Sequence, residues 1–103
     1  MFVMLYRWKL RLGKEEQFIA AWSDITDYFR REFDSLGSRL HLGDDGLYYA
    51  FAQWKSAEDL EKAFAESEEI EAGKRMSEAI EERLPSVQLE IMADFLLFPE
   101  KEK

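Results

Sequence analysis

The order of hydrophobic periodicities along this chain predicts an α+β fold of the ferredoxin-like kind, β-α-β-β-α-β, an antiparallel four-stranded sheet with both helices on one face. Three observations carry that prediction. Alternating apolar residues mark a strand near each end of the chain, spacings of three and four mark a long helix between Gly13 and Phe33, and a hairpin signal at Asp45-Gly46 runs straight into a helix start at Ser56.

The first strand sets Phe2, Met4, Tyr6 and Trp8 on one side and Val3, Leu5, Arg7 and Lys9 on the other. Gly13 then opens a helix whose Glu15 and Glu16 suit its positive N-terminal end and whose Arg30 and Arg31 suit its negative C-terminal end. Phe18, Ala21, Trp22, Ile25, Phe29 and Phe33 form its apolar stripe. After a turn over Asp34–Gly37 come strands over Ser38–Leu42 and Leu47–Trp54, joined by a two-residue loop in which Gly46 takes a positive φ. Ser56-Ala-Glu-Asp59 fits a capping box. Leu60, Ala63 and Phe64 mark the buried face of the second helix, and Met76, Ala79, Ile80 and Leu84 continue it after a break near Gly73, up to Pro85. Val87, Leu89, Ile91, Ala93, Phe95 and Leu97 alternate down a last strand, and Pro99–Lys103 is a charged tail.

With 103 residues the chain makes one domain, over residues 1–98, followed by the tail at 99–103. A domain of this size buries only about 60–65% of its unfolded surface, so a partner subunit adds materially to its core. Eight Phe, four Tyr and three Trp exceed what one small two-layer core needs, which predicts that some line a cavity or an interface. A net charge of −8 excludes nucleic acid and anionic membrane as partners, since both call for a cationic face. No apolar run approaches the ~18–20 residues of a spanning helix, and Arg7 interrupts Met1–Tyr6 before it can serve as a signal-peptide core, so the expected location is cytoplasmic. The absence of cysteine excludes disulfides, thiolate metal sites and a Cys nucleophile.

The third strand bears on assembly. It offers Tyr49 and Phe51 on one side and Tyr48, Ala50, Ala52 and Trp54 on the other, so both faces of the sheet want cover while helices supply only one. A homodimer through sheet-to-sheet contact about a two-fold axis supplies the other.

The apolar strand ending Tyr6-Arg-Trp-Lys-Leu10, the helix opening Gly13-Lys-Glu-Glu-Gln-Phe18, and the segments Leu36-Gly-Ser-Arg-Leu-His41 and Tyr49-Ala-Phe-Ala-Gln-Trp-Lys-Ser56 together resemble the antibiotic biosynthesis monooxygenase family of dimeric α/β barrels. The resemblance covers roughly Phe2–Leu97. It implies a homodimer with a ligand cavity between sheet and helices in each subunit. Some members of that family oxygenate phenolic or quinol-like substrates without flavin, haem or metal; others degrade haem. At the positions where the haem-degrading branch carries Asn, Trp and a ligating His, this chain has Tyr6, Ala63 and Gly73, so haem degradation is not expected. Nor is a metal, since the one histidine and the lack of cysteine leave too few soft or imidazole ligands.

Cofactor-free oxygenation needs a base or proton relay, donors for a substrate anion and a dry aromatic pocket. His41, the one side chain whose unperturbed pKa lies near neutrality, and Tyr6, at a cavity-facing position of the first strand, are the catalytic candidates. Trp8, Trp22, Tyr49 and Trp54 are candidates to wall a flat ligand, and Arg39 to hold a phenolate or carboxylate. The ordinary readings stand beside these: His41 as a half-exposed strand residue, Tyr6 and Trp22 as core, Arg39 as an ion-pair partner. Arg7 and Lys9 are placed to meet Glu90 and Asp94. Two functions follow: a cofactor-independent monooxygenase acting on a small aromatic, phenolic or quinol-type metabolite, and a non-catalytic ligand-binding or structural module on the same scaffold.

Overall fold

The computed structural model describes residues 1–97, so the end of the expected domain and the charged tail at 99–103 lie outside the described residues. The elements follow in the order β1 (Phe2–Leu10), α1 (Glu15–Phe33), β2 (Ser38–Leu42), β3 (Tyr48–Trp54), α2 (Ala57–Glu66), α3 (Glu71–Ala79) and β4 (Ile80–Glu90). The strands make one antiparallel sheet in the order β2-β3-β1-β4, the arrangement of a ferredoxin-like fold. Among the described residues no helix is long and apolar enough to cross a membrane.

Residues opposed across an antiparallel pair share a face. Here Met4 lies opposite Ala52, Tyr6 opposite Ala50 and Trp8 opposite Tyr48, so the even-numbered side chains of β1 and β3 stand together. That is the helix side. Trp8 and Ala50 pack with Phe18 of α1 and with Ala79 and Ile80, while Met4 and Trp54 pack with Leu60 and Ala63 of α2. Phe18 is wholly buried and meets the Trp8 ring edge-on at 5.1 Å. The odd-numbered residues, including Val3, Leu5 and Phe51, share the other face with Val87 and Leu89 of β4.

Local chemistry explains the helix ends. Acidic Glu15 and Glu16 sit in the first turn of α1 and basic Arg30 and Arg31 in its last, and the helix stops where Asp34 turns left-handed and gives its amide to the Phe29 carbonyl. Ser56 Oγ accepts the amide of Asp59 at 3.2 Å, the expected cap of α2.

Four features differ from the sequence-based expectation. The hairpin loop is wider than two residues: Gly43 N bonds to Leu47 O at 2.8 Å, enclosing Asp44, Asp45 and Gly46, and of these only Gly46 has a positive φ. Asp45 is the cause, since its carboxylate accepts the Leu47 amide and the Tyr49 hydroxyl and so holds the wider loop. The second helix breaks at Ser67–Ile70 and not at Gly73, which lies inside α3. There the Tyr28 hydroxyl accepts the Glu68 amide at 3.1 Å, a donor that a continuous helix would have satisfied itself.

The last strand is displaced toward the N-terminus. It begins at Ile80 and contains Pro85, tolerated because β4 is an edge strand and Pro85 coincides with a bulge between the Leu5–Val87 and Arg7–Leu84 pairs. It stops at Glu90, opposite Phe2, the first residue of β1, and residues 91–97 are not in a strand. Finally, Arg7 and Lys9 do not meet Glu90 and Asp94. Lys9 Nζ lies 3.0 Å from Glu81, and the Arg7 guanidinium donates to the Pro85 carbonyl at 3.3 Å.

Phe18→Ala should lower stability to urea by about 3–5 kcal/mol, because the site is closed on all sides and cannot collapse easily. Ser56→Ala should cost about 1 kcal/mol through the lost cap.

Candidate functional site

Between α1 and the helix side of the sheet lies a cavity of about 300 Å³. Its origin is the small side chain of Ala52 on β3: the space beside it is not filled by α1, whereas Ala50 is covered by Phe18 and Trp8. Tyr6 and Trp8 stack at 5.8 Å and 16°, and Trp22, Ile25 and Phe29 of α1, Phe64 of α2 and Met76 of α3 complete an aromatic and apolar lining. Such walls suit a planar ring.

The polar groups in this lining are few. Ser38 Oγ bonds to the Phe51 carbonyl at 2.7 Å, and Ser35 Oγ accepts the Gly37 amide at 3.1 Å, so both are engaged in local structure. Thr26 adds a hydroxyl. Two groups have stronger chemistry. Burial pushes the Tyr6 phenol above its usual value near 10, so at neutral pH it is a proton donor. Arg83 of β4 brings an exposed guanidinium to the rim, steadied by a 3.1 Å hydrogen bond from Nη2 to Ser77 Oγ.

Sequence reasoning missed Arg83. Reading Pro85 as a stop places Arg83 in a helix, and extending the alternation of Val87 and Leu89 backward would turn it to the opposite face. The bulge at Pro85 supplies the extra residue that sets Arg83 opposite Trp8, on the cavity side.

Of the residues singled out from sequence, Tyr6, Trp8 and Trp22 come together at this cavity. The others lie elsewhere. Trp54 is buried in the second core cluster, edge-on to Phe29 at 6.1 Å, with its indole N–H lacking an acceptor among the described residues. His41, Arg39 and Tyr49 belong to the opposite face of the sheet. The His41 ring stacks on Phe51 at 5.7 Å with Nδ1 3.3 Å from the Tyr49 carbonyl oxygen, the Arg39 guanidinium lies 5.9 Å from the centre of the same Phe51 ring, and the Tyr49 hydroxyl donates to Asp45. Among the described residues no group of three or more His, Cys, Asp or Glu side chains is placed to hold a metal ion.

A protonated phenol and a guanidinium within reach of an oxygen on a bound phenol or enol stabilise negative charge on it, and Tyr6 and Arg83 are the residues of this lining that carry those groups. The family model for antibiotic biosynthesis monooxygenases matches residues 1–76. In fold the chain is similar to SnoaB, a cofactor-independent oxygenase from Streptomyces nogalater, with a TM-score of 0.76 and 11% identity over 91% of this chain and 95% of that one. It is likewise similar to Rv0793 from Mycobacterium tuberculosis, with a TM-score of 0.72 and 13% identity over 92% of this chain and 98% of that one. A conserved protein from Methanosarcina mazei gives a TM-score of 0.71 and 10% identity over 85% and 89%. At these identities the likeness is one of fold. No curated protein matches the chain significantly.

Tyr6 and Tyr49 both ionise above the ordinary value, Tyr6 through burial and Tyr49 chiefly through its hydrogen bond to Asp45. A folded-state pKa that is raised means stability fully present below pH about 10 and lost as pH rises through the raised value. In an absorbance titration of tyrosinate, Tyr6→Phe should therefore remove a component ionising above pH 10 and make stability fall less steeply as pH rises beyond about 10.

Proposed function

The chain belongs to the antibiotic biosynthesis monooxygenase family, and from that premise we propose that it is a cofactor-independent monooxygenase acting on a small aromatic, phenolic or quinol-type metabolite. The observation that carries the reading is that Tyr6 and Arg83 both line a cavity walled by Trp8 and Trp22.

The chemistry needs no external reductant when the substrate carries a methylene activated by its aromatic system. Loss of a C–H proton leaves a carbanion whose charge is delocalised onto oxygen; that anion gives an electron to O₂, and the radical pair joins at carbon. The resulting hydroperoxide expels water to leave a carbonyl. One oxygen atom enters the product, the other becomes water, and the substrate carbon supplies all four electrons. Arg83 and Tyr6 favour the first step by holding the anionic oxygen, which lowers the substrate's own pKa toward neutrality. In this reading the proton passes to solvent, since Tyr6 keeps its own.

Steady-state oxygen uptake against a panel of quinols, phenols and anthrones tests this. Tyr6→Phe should lower turnover roughly 10²–10³-fold, the usual cost of losing one donor to a developing oxyanion. Arg83→Gln should shift the onset of turnover to higher pH, and Trp22→Phe should act mainly on KM. His41→Ala should leave turnover within about twofold, because its ring lies on the far face of the sheet. Equal turnover in wild type and Tyr6→Phe would refute the assignment.

The second reading, a ligand-binding module, is favoured by the cavity's lack of a side chain that ordinarily titrates near neutrality, His41 being on the other face. It predicts quenching of Trp8 and Trp22 fluorescence by an aromatic ligand with no oxygen consumed.

The reading includes a homodimer. Val3, Leu5, Phe51, Val87 and Leu89 make the face of the sheet opposite the helices apolar, and a second copy covers it most simply. In sedimentation the chain should run at about twice its 12.2 kDa mass at micromolar concentration, and Phe51→Asp should shift it toward the monomer.

A further inference from the structure

The aromatic walls of the cavity are held by their neighbours, and one position of its floor stays small. Trp8 is buried against Phe18, and Tyr6 stacks on Trp8 at 5.8 Å. Phe29 lies edge-on to Trp54 and is tilted against Phe33 and Phe64. The floor belongs to β3, a strand paired on both sides, where Ala52 sits opposite Met4 of β1 and Ser38 of β2. Met4 is taken up by Trp54, Leu60 and Ala63, and Ser38 Oγ by the Phe51 carbonyl. The backbone at Ala52 is therefore fixed. Its methyl borders the open cavity, whereas Ala50 on the same face is wholly buried.

Strand register gives this cavity two unlike ends. Arg83 pairs with Trp8 and Ala52 with Met4, on opposite sides of β1 and, at the rise of a strand, roughly 13 Å apart along it. Tyr6 lies between them. Arg83 is the one charged residue of the lining, so charge is confined to its own end, and at the other end Phe29 packs on the Met4 and Trp54 cluster. An apolar cavity of about 150 Å³ takes a single benzene ring, so one of about 300 Å³ takes roughly two fused rings.

We propose that Ala52 is the specificity-determining residue of the cavity. It sets how far a ring system held by its oxygen at Arg83 and Tyr6 extends along the floor, and it admits roughly two fused rings. The inference rests on the ligand site of the reading above and is independent of the homodimer. A longer side chain at this position has only the cavity to enter, because the strand beneath it is paired on both sides and the walls are packed. It shortens the site at the end away from the oxygen and leaves Tyr6 and Arg83 in place.

A titration under argon, followed through the indole N–H resonances of Trp8 and Trp22, tests this with 1-naphthol and phenol as probes. Ala52→Leu should weaken 1-naphthol at least about tenfold and change phenol by no more than about twofold, since one methylene of misfit in an apolar pocket is worth on the order of tenfold or more. Its urea midpoint should stay at or above that of the wild type, because the new side chain fills a void, whereas Ala50→Leu beneath Phe18 should lower it. Equal losses for the two probes, or none, would overturn the assignment and leave the oxygenase reading untouched. An Ala52→Leu variant as destabilised as Ala50→Leu would overturn it too, since position 52 would then be closed core, and so would wild-type indole signals that respond to neither probe. Size selection under argon, together with no oxygen uptake in air from any substrate, would uphold the role of Ala52 and refute the oxygenase reading.

Discussion

The register between β1 and β3 is the constraint on which the rest of the molecule depends. It sets Met4, Tyr6 and Trp8 on one face against Ala52, Ala50 and Tyr48, and a slip of one residue would turn Arg7 and Lys9 toward the helices and the aromatics toward solvent. The penalty for unpaired charge in that interior excludes the slipped state. Among the described residues no charged or polar side chain is fully buried, so this part of the core is specified by shape alone. The alternation of large and small across the pair also makes the cavity. Ala50 is covered by Phe18 and Trp8, whereas the space beside Ala52 remains open between Tyr6, Trp22 and Phe29.

A second constraint operates at the other edge of β1. The bulge at Pro85 is a one-residue event, but it decides which face carries the only guanidinium of the cavity wall. Pro85 is compatible with an edge strand because its missing amide faces no neighbour, and its carbonyl is used by Arg7 on the opposite face. Thus the same irregularity that interrupts the ladder places a cation beside Trp8 and anchors another cation on the outside. The separation matters for chemistry. Arg83 lies on the face of the sheet that carries Tyr6 and the cavity, and Arg39 lies over Phe51 with His41, so the sheet divides these basic residues between its two faces.

A chain this short keeps a large fraction of its apolar surface exposed when alone. Here that surface is concentrated on the outer face of the sheet, along the β2 edge and in residues 91–97, while the helix face is closed by Phe18, Ala21, Leu60 and Ala63. Burial of an aromatic side chain is the largest single hydrophobic gain available to a small domain. Within the single chain Phe95 stays in water, and that gain is left unmade.

Local sequence determined the α+β class, the order of the elements along the chain, the Ser56 cap and which residues of β1 and of β3 share a face, because each of these depends on residues within a single element; which of the two faces meets the helices was decided by tertiary packing. The grouping of Tyr6, Trp8 and Trp22 was legible for the same reason: β1 and α1 are regular, and their apolar faces must meet. What the tertiary structure decided were contacts between elements whose ends are set by neighbours. The stop at Glu90 follows from where β1 begins, and the break at Ser67–Ile70 from the Tyr28 hydroxyl taking the Glu68 amide across forty residues of sequence. The sequence made His41 the first catalytic candidate and Tyr6 the second, and only the pairing of His41 with Tyr49 put the two on opposite faces. Arg83 was hidden because a bulge reverses strand parity, and no local pattern of residues records that reversal.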